Sequence, residues 1–199
     1  MEPRPIWDVA TVRWVAKQLS GIIGAIDTIH NPIHLHQEQV EKGFGRHGDI
    51  KPDNILWFNS TTDHRGILVV SDFGLAAFHR DKSRSNIPNK GIPAVPGYRP
   101  PECDISGGTI SRAYDIWTLG CLFLELLTWL LGGQDLLKIF NQNRNTIFLL
   151  TGAKNTIFFT LLKTENPGIP HVAQVKPEVT KVSINDRANN HPYEAVTYM

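Results

Sequence analysis

The residue types that could carry chemistry are concentrated between His47 and Asn54 and at Asp72. The first stretch supplies a carboxylate at Asp49, a cation at Lys51 and a carboxamide at Asn54, and Asp72 adds a second carboxylate. A carboxylate can act as a base, and carboxylate and amide oxygens are ligands that Mg²⁺ accepts in proteins. The set is therefore suited to phosphoryl transfer assisted by Mg²⁺, a reaction that depends on positioning and charge stabilisation.

Two short apolar runs separate these residues and predict the element that positions them. The runs Ile55 to Phe58 and Ile67 to Val70 are rich in β-branched and aromatic residues, and a polar loop joins them. This pattern predicts a β-hairpin. Because the two open ends of an antiparallel hairpin lie side by side, we expect Asp49, Asn54 and Asp72 to converge.

Helical periodicity flanks the predicted hairpin on both sides. From Asp8 to His30 apolar residues recur at steps of three and four, with Asp8 as the predicted N-cap. A second helix is predicted from Ser111 to Leu131, where Gly132 and Gly133 supply a stop.

The connections between these elements are rich in proline and glycine. Residues 31–48 and 75–110 show no sustained period and are expected to be irregular. We expect His30, His34 and His36 to lie in a solvated loop, since no cysteine accompanies them and zinc sites need a closed set of ligands.

Composition limits the class of protein. The 199 residues are 41% hydrophobic and 20% charged, which predicts a globular domain. A net charge of +1 excludes a global attraction to nucleic acid or to an anionic membrane. An N-terminus with an acid and two prolines, together with only two cysteines, favours an intracellular protein, in the cytoplasm or the nucleus. Glu125 interrupts the longest apolar stretch, which predicts a buried core helix and no membrane span.

Four ordered motifs in this chain resemble those of the eukaryotic protein kinase family. The run from His47 to Asn54 is similar to H-R-D-x-K-x-x-N, residues 72–74 to D-F-G, residues 100–102 to A-P-E and residues 115–120 to D-x-W-S-x-G. The resemblance covers about residues 8–163. Within it, the run from Gly45 to Pro52 is similar to kinase-like proteins of filamentous fungi.

The resemblance implies a fold and a set of site residues. The fold would be α+β, a kinase C-terminal lobe that is mainly α-helical, with the hairpin carrying the catalytic and metal-binding loops. Asp49 would accept the proton of the substrate hydroxyl, and Lys51 would steady the transferring phosphate as a catalytic and cofactor-binding residue. Asn54 and Asp72 would bind Mg²⁺ and, through it, ATP. The residues implied to give structural support are His47 beneath the 72–74 turn, Phe73, Gly74, Glu102, and Asp115, which would bond the backbone of the catalytic loop.

The function implied is that of a serine/threonine protein kinase. Lys51, two residues after the expected base, is similar to the serine/threonine branch of the family rather than the tyrosine branch. ATP and Mg²⁺ would be the cofactors, and the partner would be a protein substrate with a serine or threonine hydroxyl. Neither nucleic acid nor a membrane is expected as a partner.

Several departures from the family pattern qualify this expectation. Residues 1–163 would form a partial kinase domain, since nothing before residue 8 resembles the N-terminal lobe, and residues 164–199 would form an extended or poorly ordered tail. Gly48 stands where most of these kinases have arginine, and Val95 stands where they have threonine. No late arginine stands in a context that would pair with Glu102. The alternative function is a catalytically inactive kinase-like interaction module or a truncated gene product.

The apparent loss of late helices also predicts a solubility problem. The predicted helix from Ser111 to Leu131 would keep a large apolar surface with part of its cover absent. Exposed apolar patches of more than a few hundred Å² promote association. We therefore expect the chain to be poorly soluble or to associate with itself through that surface.

Overall fold

The computed structural model describes residues 8–32, 44–79, 87–89 and 97–180. Two long helices, α1 (Val9–His30) and α2 (Ala113–Arg144), and a short helix α3 (Pro177–Thr180) are combined with small antiparallel sheets. This combination confirms the predicted α+β class. The strands of the described residues are β1 (Phe44–Arg46), β2 (Ile55–Phe58), β3 (Ile67–Val70), β4 (Ala77–His79), β5 (Ile87–Pro88), β6 (Thr109–Ile110), β7 (Thr146–Ile147), β8 (Lys154–Asn155), β9 (Phe159–Lys163) and β10 (His171–Val175).

Helix α1 forms where its period predicted. Asp8 is the N-cap, and its side chain accepts a hydrogen bond from the backbone N–H of Thr11 at 2.5 Å. Val15, Ile22 and Ile26 are buried along one face. The helix therefore turns one apolar stripe toward the rest of the fold.

The predicted hairpin is confirmed as β2 and β3, which pair antiparallel with Ile55 opposite Val70. Helix α1 packs along this hairpin and bonds to it at several points. The Trp14 indole N–H donates to the Gly66 carbonyl at 2.9 Å, and the Gln18 carboxamide accepts from the Leu68 N–H at 2.8 Å. The hairpin is thus fixed to α1 along its length.

One buried cluster joins the helices to the hairpin. Its members come from α1, from the loop after β1, from β3 and from α2. They are Ile22, Ile26, Ile50, Val70, Leu119 and Leu122. Because Ile50 directly follows Asp49, this cluster anchors the loop at residues 47–54 to the hydrophobic core.

Helix α2 is longer than predicted. A change of direction does occur at Gly133, whose φ of 68° and ψ of −161° are not helical. Only glycine adopts such angles at low cost. The chain then resumes a helical path to Arg144, so the predicted stop is a kink rather than an end.

By length and composition alone, α2 is apolar enough to cross a membrane. The core helix of a soluble protein meets the same criterion, so the helix is weak evidence of a span. Its buried acids bond to other parts of the fold, Asp115 to the His47 N–H and Glu125 to the Tyr98 hydroxyl. These bonds are typical of a helix packed inside a protein.

The prediction of an extended or poorly ordered tail over residues 164–199 was wrong for residues 171–180. Strand β10 pairs with β9 over five residues, and α3 follows directly. Val179 of α3 is buried in a cluster with Phe140 and Phe158. Prolines at 167 and 170 suggested the absence of packed structure, but both lie in the turn between two paired strands. Residues 181–199 lie outside the described part of the chain.

The packing of the C-terminal segment also bears on the expectation that α2 exposes a large apolar surface. Only Leu127, at 41%, is exposed among the apolar residues of α2 that were expected to lose cover, which are Trp117, Leu119, Leu122, Phe123, Leu126, Leu127, Leu130 and Leu131. Large apolar side chains are exposed instead on β2, at Leu56, Trp57 and Phe58.

The connections expected to be irregular contain short strands. Strand β1 pairs with β4, and β5 pairs with β6. Runs of two or three residues carry too little periodicity to be recognised. The β1–β4 pair places the residues just before His47 beside the chain that follows Gly74. Residues 33–43, 80–86 and 90–96 lie outside the described chain, including His34, His36 and Val95.

Candidate active site

The carboxylate of Asp49 has two differently placed oxygens. The Lys51 Nζ lies 2.9 Å from Oδ2, and the Asn54 side-chain amide donates to the same oxygen at 2.8 Å. The amide also donates to the Asp49 backbone carbonyl at 2.8 Å. The second oxygen, Oδ1, is buried and forms no hydrogen bond to any of the residues that the structure describes. It is therefore the carboxylate oxygen that the neighbouring side chains leave available as an acceptor.

Lys51 is held as a cation. Its pKa is raised, first by the hydrogen bond to Asp49 and further by the negative charges of Asp49, Asp53 and Asp72, against desolvation, which lowers it. The ammonium group therefore remains charged at neutral pH.

Asp115 fixes the backbone of the loop at residues 47–54, here called the catalytic-type loop. It is fully buried, and its Oδ1 accepts from the Gly48 N–H at 2.8 Å while Oδ2 accepts from the His47 N–H at 2.7 Å. The imidazole Nε2 of His30 lies 2.8 Å from the same Oδ2. One carboxylate thus joins the end of α1, the loop and the first turn of α2.

His47 links the loop to the turn at residues 72–74. Its Nε2 lies 3.2 Å from the Ser71 carbonyl, and its Nδ1 accepts from the Asp49 N–H at 3.3 Å. A carbonyl can only accept, so this pattern assigns the ring proton to Nε2. The ring also packs on Phe73, with centroids 5.0 Å apart. His47 therefore lies directly under the turn.

Asp72 adopts an unusual backbone conformation. Its φ of 63° is the one positive value at a non-glycine residue in the described chain. Such angles cost free energy and are concentrated at functional sites. The Asp72 Oδ1 accepts from the Gly74 N–H at 3.1 Å, and the residue is exposed.

The hairpin brings Asn54 and Asp72 to the same end. The Ser71 N–H donates to the Asn54 carbonyl at 2.9 Å, and its hydroxyl donates to the same oxygen at 3.0 Å. Asp72 is the next residue. Because the Asn54 amide nitrogen is engaged by Asp49, its side-chain oxygen is the atom left for a metal ion. This donor set of one amide and one carboxylate oxygen fits Mg²⁺ that takes its other ligands from water and phosphate.

No group of three or more His, Cys, Asp or Glu side chains that could hold a metal occurs in the part of the chain that the structure describes. A Mg²⁺ ion bound by Asn54 and Asp72 would have to take its other ligands from water or phosphate.

Gly48 has a structural reason to be glycine. Its φ is 82°, and a Cβ at this position would lie 2.9 Å from the Leu75 carbonyl oxygen. Any side chain here would collide with the chain that leaves the 72–74 turn.

Glu102 stands apart from the other predicted residues. Desolvation raises its pKa, and it forms no ion pair with any of the residues that the structure describes. Its backbone carbonyl accepts from the Asn89 side chain at 2.9 Å. Arg144 pairs instead with Glu125 at 2.5 Å.

Sequence reasoning missed three contributors to this region. His30 is buried rather than solvated, so its expected placement was wrong. Ser71 bonds the two ends of the hairpin, and Arg144 forms a buried ion pair. The only signal for His30 was its position as the last residue of a strongly periodic helix.

Comparison with known proteins places this geometry in a family. The family model described as the protein kinase domain matches residues 18–182. The chain is 37% identical over 82 residues to cyclin-dependent kinase E-1 of Arabidopsis thaliana, covering 41% of this chain and 17% of that protein. It is 36% identical over 109 residues to cyclin-dependent kinase C-2 of Arabidopsis thaliana, covering 54% and 19%.

A third relative is a probable serine/threonine-protein kinase of Arabidopsis thaliana, 27% identical over 152 residues, which cover 75% of this chain and 18% of that protein. The chain thus spans less than a fifth of each of these curated relatives. The family match extends over most of the chain and includes every element that forms the site. The chain belongs to the eukaryotic protein kinase family.

Proposed function

We propose that this chain transfers the γ-phosphate of ATP to serine or threonine hydroxyl groups of a protein. The observation that carries the proposal is the Asp49 carboxylate, with one oxygen held by Lys51 and Asn54 and the other buried without a hydrogen bond to any described residue. A base needs a free acceptor oxygen and a fixed orientation, and Asp49 has both.

The roles follow from the contacts. The Oδ1 of Asp49 accepts the hydrogen bond of the substrate hydroxyl and takes its proton as the hydroxyl oxygen bonds to the γ-phosphorus. The bond from that phosphorus to the β,γ-bridging oxygen breaks, and ADP leaves. The Lys51 ammonium lies beside this carboxylate and offsets the negative charge of the transferring phosphoryl group. The Asp115 carboxylate holds the loop backbone, so Asp49 keeps its direction while charge moves.

Members of this family use ATP and Mg²⁺, and the donor oxygens of Asn54 and Asp72 fit the metal. When bound, Mg²⁺ neutralises charge on the phosphates. Asp72 is held toward that position by its own backbone angle and by the Gly74 N–H. Asn54 is held by its two bonds to Asp49.

The test is radiolabelled phosphate transfer by the purified chain, compared with an Asp49→Asn variant. The amide cannot take a proton, and loss of a general base slows such reactions by about 10²–10⁴-fold. Asp27→Asn is the matched control, since Asp27 is exposed on α1 and contacts none of the site residues. Equal transfer by the wild-type chain and Asp49→Asn would refute the proposal.

A second candidate is a kinase-like interaction module without catalysis. The observation in its favour is the exposed apolar surface of β2, one strand of the site hairpin, where Trp57 is 58% exposed. Such a module would bind nucleotide weakly or not at all and show the same background in both Asp49 forms. The transfer assay therefore separates the two functions.

A further inference from the structure

A series of buried polar contacts joins the hairpin formed by β9 and β10, here called the C-terminal hairpin, to the loop at residues 97–104. Lys176, between β10 and α3, is 2% exposed, and its Nζ donates to the Arg144 carbonyl at 2.8 Å. The Arg144 side chain, 1% exposed, donates to Oε1 of Glu125 at 2.5 Å. The other oxygen of Glu125 accepts from the Tyr98 hydroxyl. These contacts lead from residue 176 to residue 98.

Apolar packing follows the same route. The ring centroid of Tyr98 lies 6.1 Å from that of Phe158, just before β9. The Arg144 guanidinium carbon lies 3.7 Å from the Phe158 ring centroid and 4.4 Å from that of Phe140. Val179 of α3 belongs to the same cluster. Polar and apolar contacts therefore couple the same two regions.

The charges in this cluster do not balance within it. Arg144 and Lys176 are two buried cations, and Glu125 is the one carboxylate bonded to either of them among the described residues. The Lys176 ammonium is instead satisfied by two carbonyls, those of Arg144 and Asn155, the second at 3.1 Å. A buried lysine is costly unless its partners are fixed. The site is therefore stable only when α2, β8 and the hairpin are all in place.

The loop at residues 97–104 contains a single helical turn, in which the Cys103 N–H donates to the Pro100 carbonyl at 3.1 Å. The Asn89 side chain donates to the carbonyls of Glu102 and Cys103 in the same turn. Cys103 therefore lies in an ordered part of this loop.

We propose that residues 171–180 are a strap that holds the loop at residues 97–104 in place, with Lys176, Arg144 and Tyr98 as positioning residues. Lys176 fixes the end of α2, which sets Arg144 against Glu125, and Glu125 then receives the Tyr98 hydroxyl. Loss of a link releases the loop without touching Asp49. The strap does not depend on phosphoryl transfer, so it stands or falls separately from the proposed function.

Cys103 provides the reporter for a test. Desolvation raises the pKa of its thiol to about 11, against the charges of the nearby arginines. A solvated thiol has a pKa of about 8.5. Since only the thiolate reacts, opening of the loop increases modification by a maleimide at pH 8 by up to about a hundredfold. Desolvation also raises the pKa of the buried Cys121, and a Cys103→Ser variant measures its background.

Two variants break the series at different links. Lys176→Met keeps the aliphatic stem and removes both donated bonds, while Tyr98→Phe keeps the ring against Phe158 and removes only the hydroxyl. The control is Lys163→Met, which changes an exposed lysine on the same hairpin. We expect Cys103 modification to rise at least tenfold in both variants and to stay at the wild-type rate in the control.

Two results would refute the proposal that residues 171–180 hold this loop. One is an unchanged Cys103 rate in both variants. The other is an equal rise at Cys121, because that would report general unfolding rather than release of the loop. Tyr98→Phe changes one hydroxyl, so the test remains decisive if Lys176→Met fails to fold.

Discussion

Replacing Asp115 with asparagine probes the contact that holds the catalytic-type loop. The carboxylate accepts two backbone N–H groups, one on each oxygen, and also contacts His30. An asparagine has one acceptor oxygen, so in either orientation its NH₂ group faces one of the N–H groups of His47 and Gly48. That buried N–H then lacks an acceptor, which costs about 1–3 kcal/mol, and a charge-assisted bond is lost as well. We expect Asp115→Asn to lower the free energy of unfolding by about 2–4 kcal/mol.

Thermal unfolding followed by circular dichroism measures this loss. For a chain of this size each kcal/mol lowers Tm by about 2–4 °C, so the variant should melt about 4–16 °C below the wild type. The control is Asp27→Asn, because Asp27 is exposed on α1 and surface changes stay within about 0.5 kcal/mol. A variant that melts within about 1 °C of the wild type would show that the loop does not depend on Asp115.

Three further predictions test other contacts. Gly48→Ala should lower stability by about 1–3 kcal/mol, because it adds a Cβ 2.9 Å from the Leu75 carbonyl oxygen at a φ of 82°; a urea unfolding curve unchanged from wild type would contradict this. Desolvation, followed by repulsion from Arg144, lowers the pKa of Lys176 from 10.5 to about 8, so the folded chain binds fewer protons than the unfolded chain between these values. Wild type should gain stability relative to Lys176→Met as pH rises from about 8 to 10, and parallel pH profiles would be the contrary result. Calorimetry should show little Mg²⁺ binding at Asn54 and Asp72 without ATP, whereas strong binding by the chain alone would mean that protein groups complete the shell.

Much of the site-bearing structure could be predicted from the sequence. The period of α1 and the β-branched runs of β2 and β3 are local signals that packing did not override. The hairpin also predicted that Asn54 and Asp72 would meet, since pairing alone places its open ends together. Local pattern and tertiary fold agree in this region.

The contacts that required long-range information could not be predicted. His30 is recognisable only through Asp115, which lies 85 positions away in sequence. Arg144 and Glu125 lie on one helix, but the kink at Gly133 alters their relation. The hairpin of β9 and β10 lies in a polar and proline-rich stretch that indicated no regular structure. Each of these strands is stabilised by pairing with the other, and composition does not reveal which segments pair.

The β2–β3 hairpin is bonded at both ends, and this has a thermodynamic consequence for any ligand. Near its tip, Lys17 pairs with Asp63 at 3.1 Å and Trp14 bonds Gly66, while Ser71 bonds Asn54 at its base. A strand that slips by one residue turns every side chain to the opposite face, and these bonds oppose such a slip. The entropy of ordering the backbone around Asn54 and Asp72 is therefore lost when the chain folds, and a ligand bound there would not have to supply it.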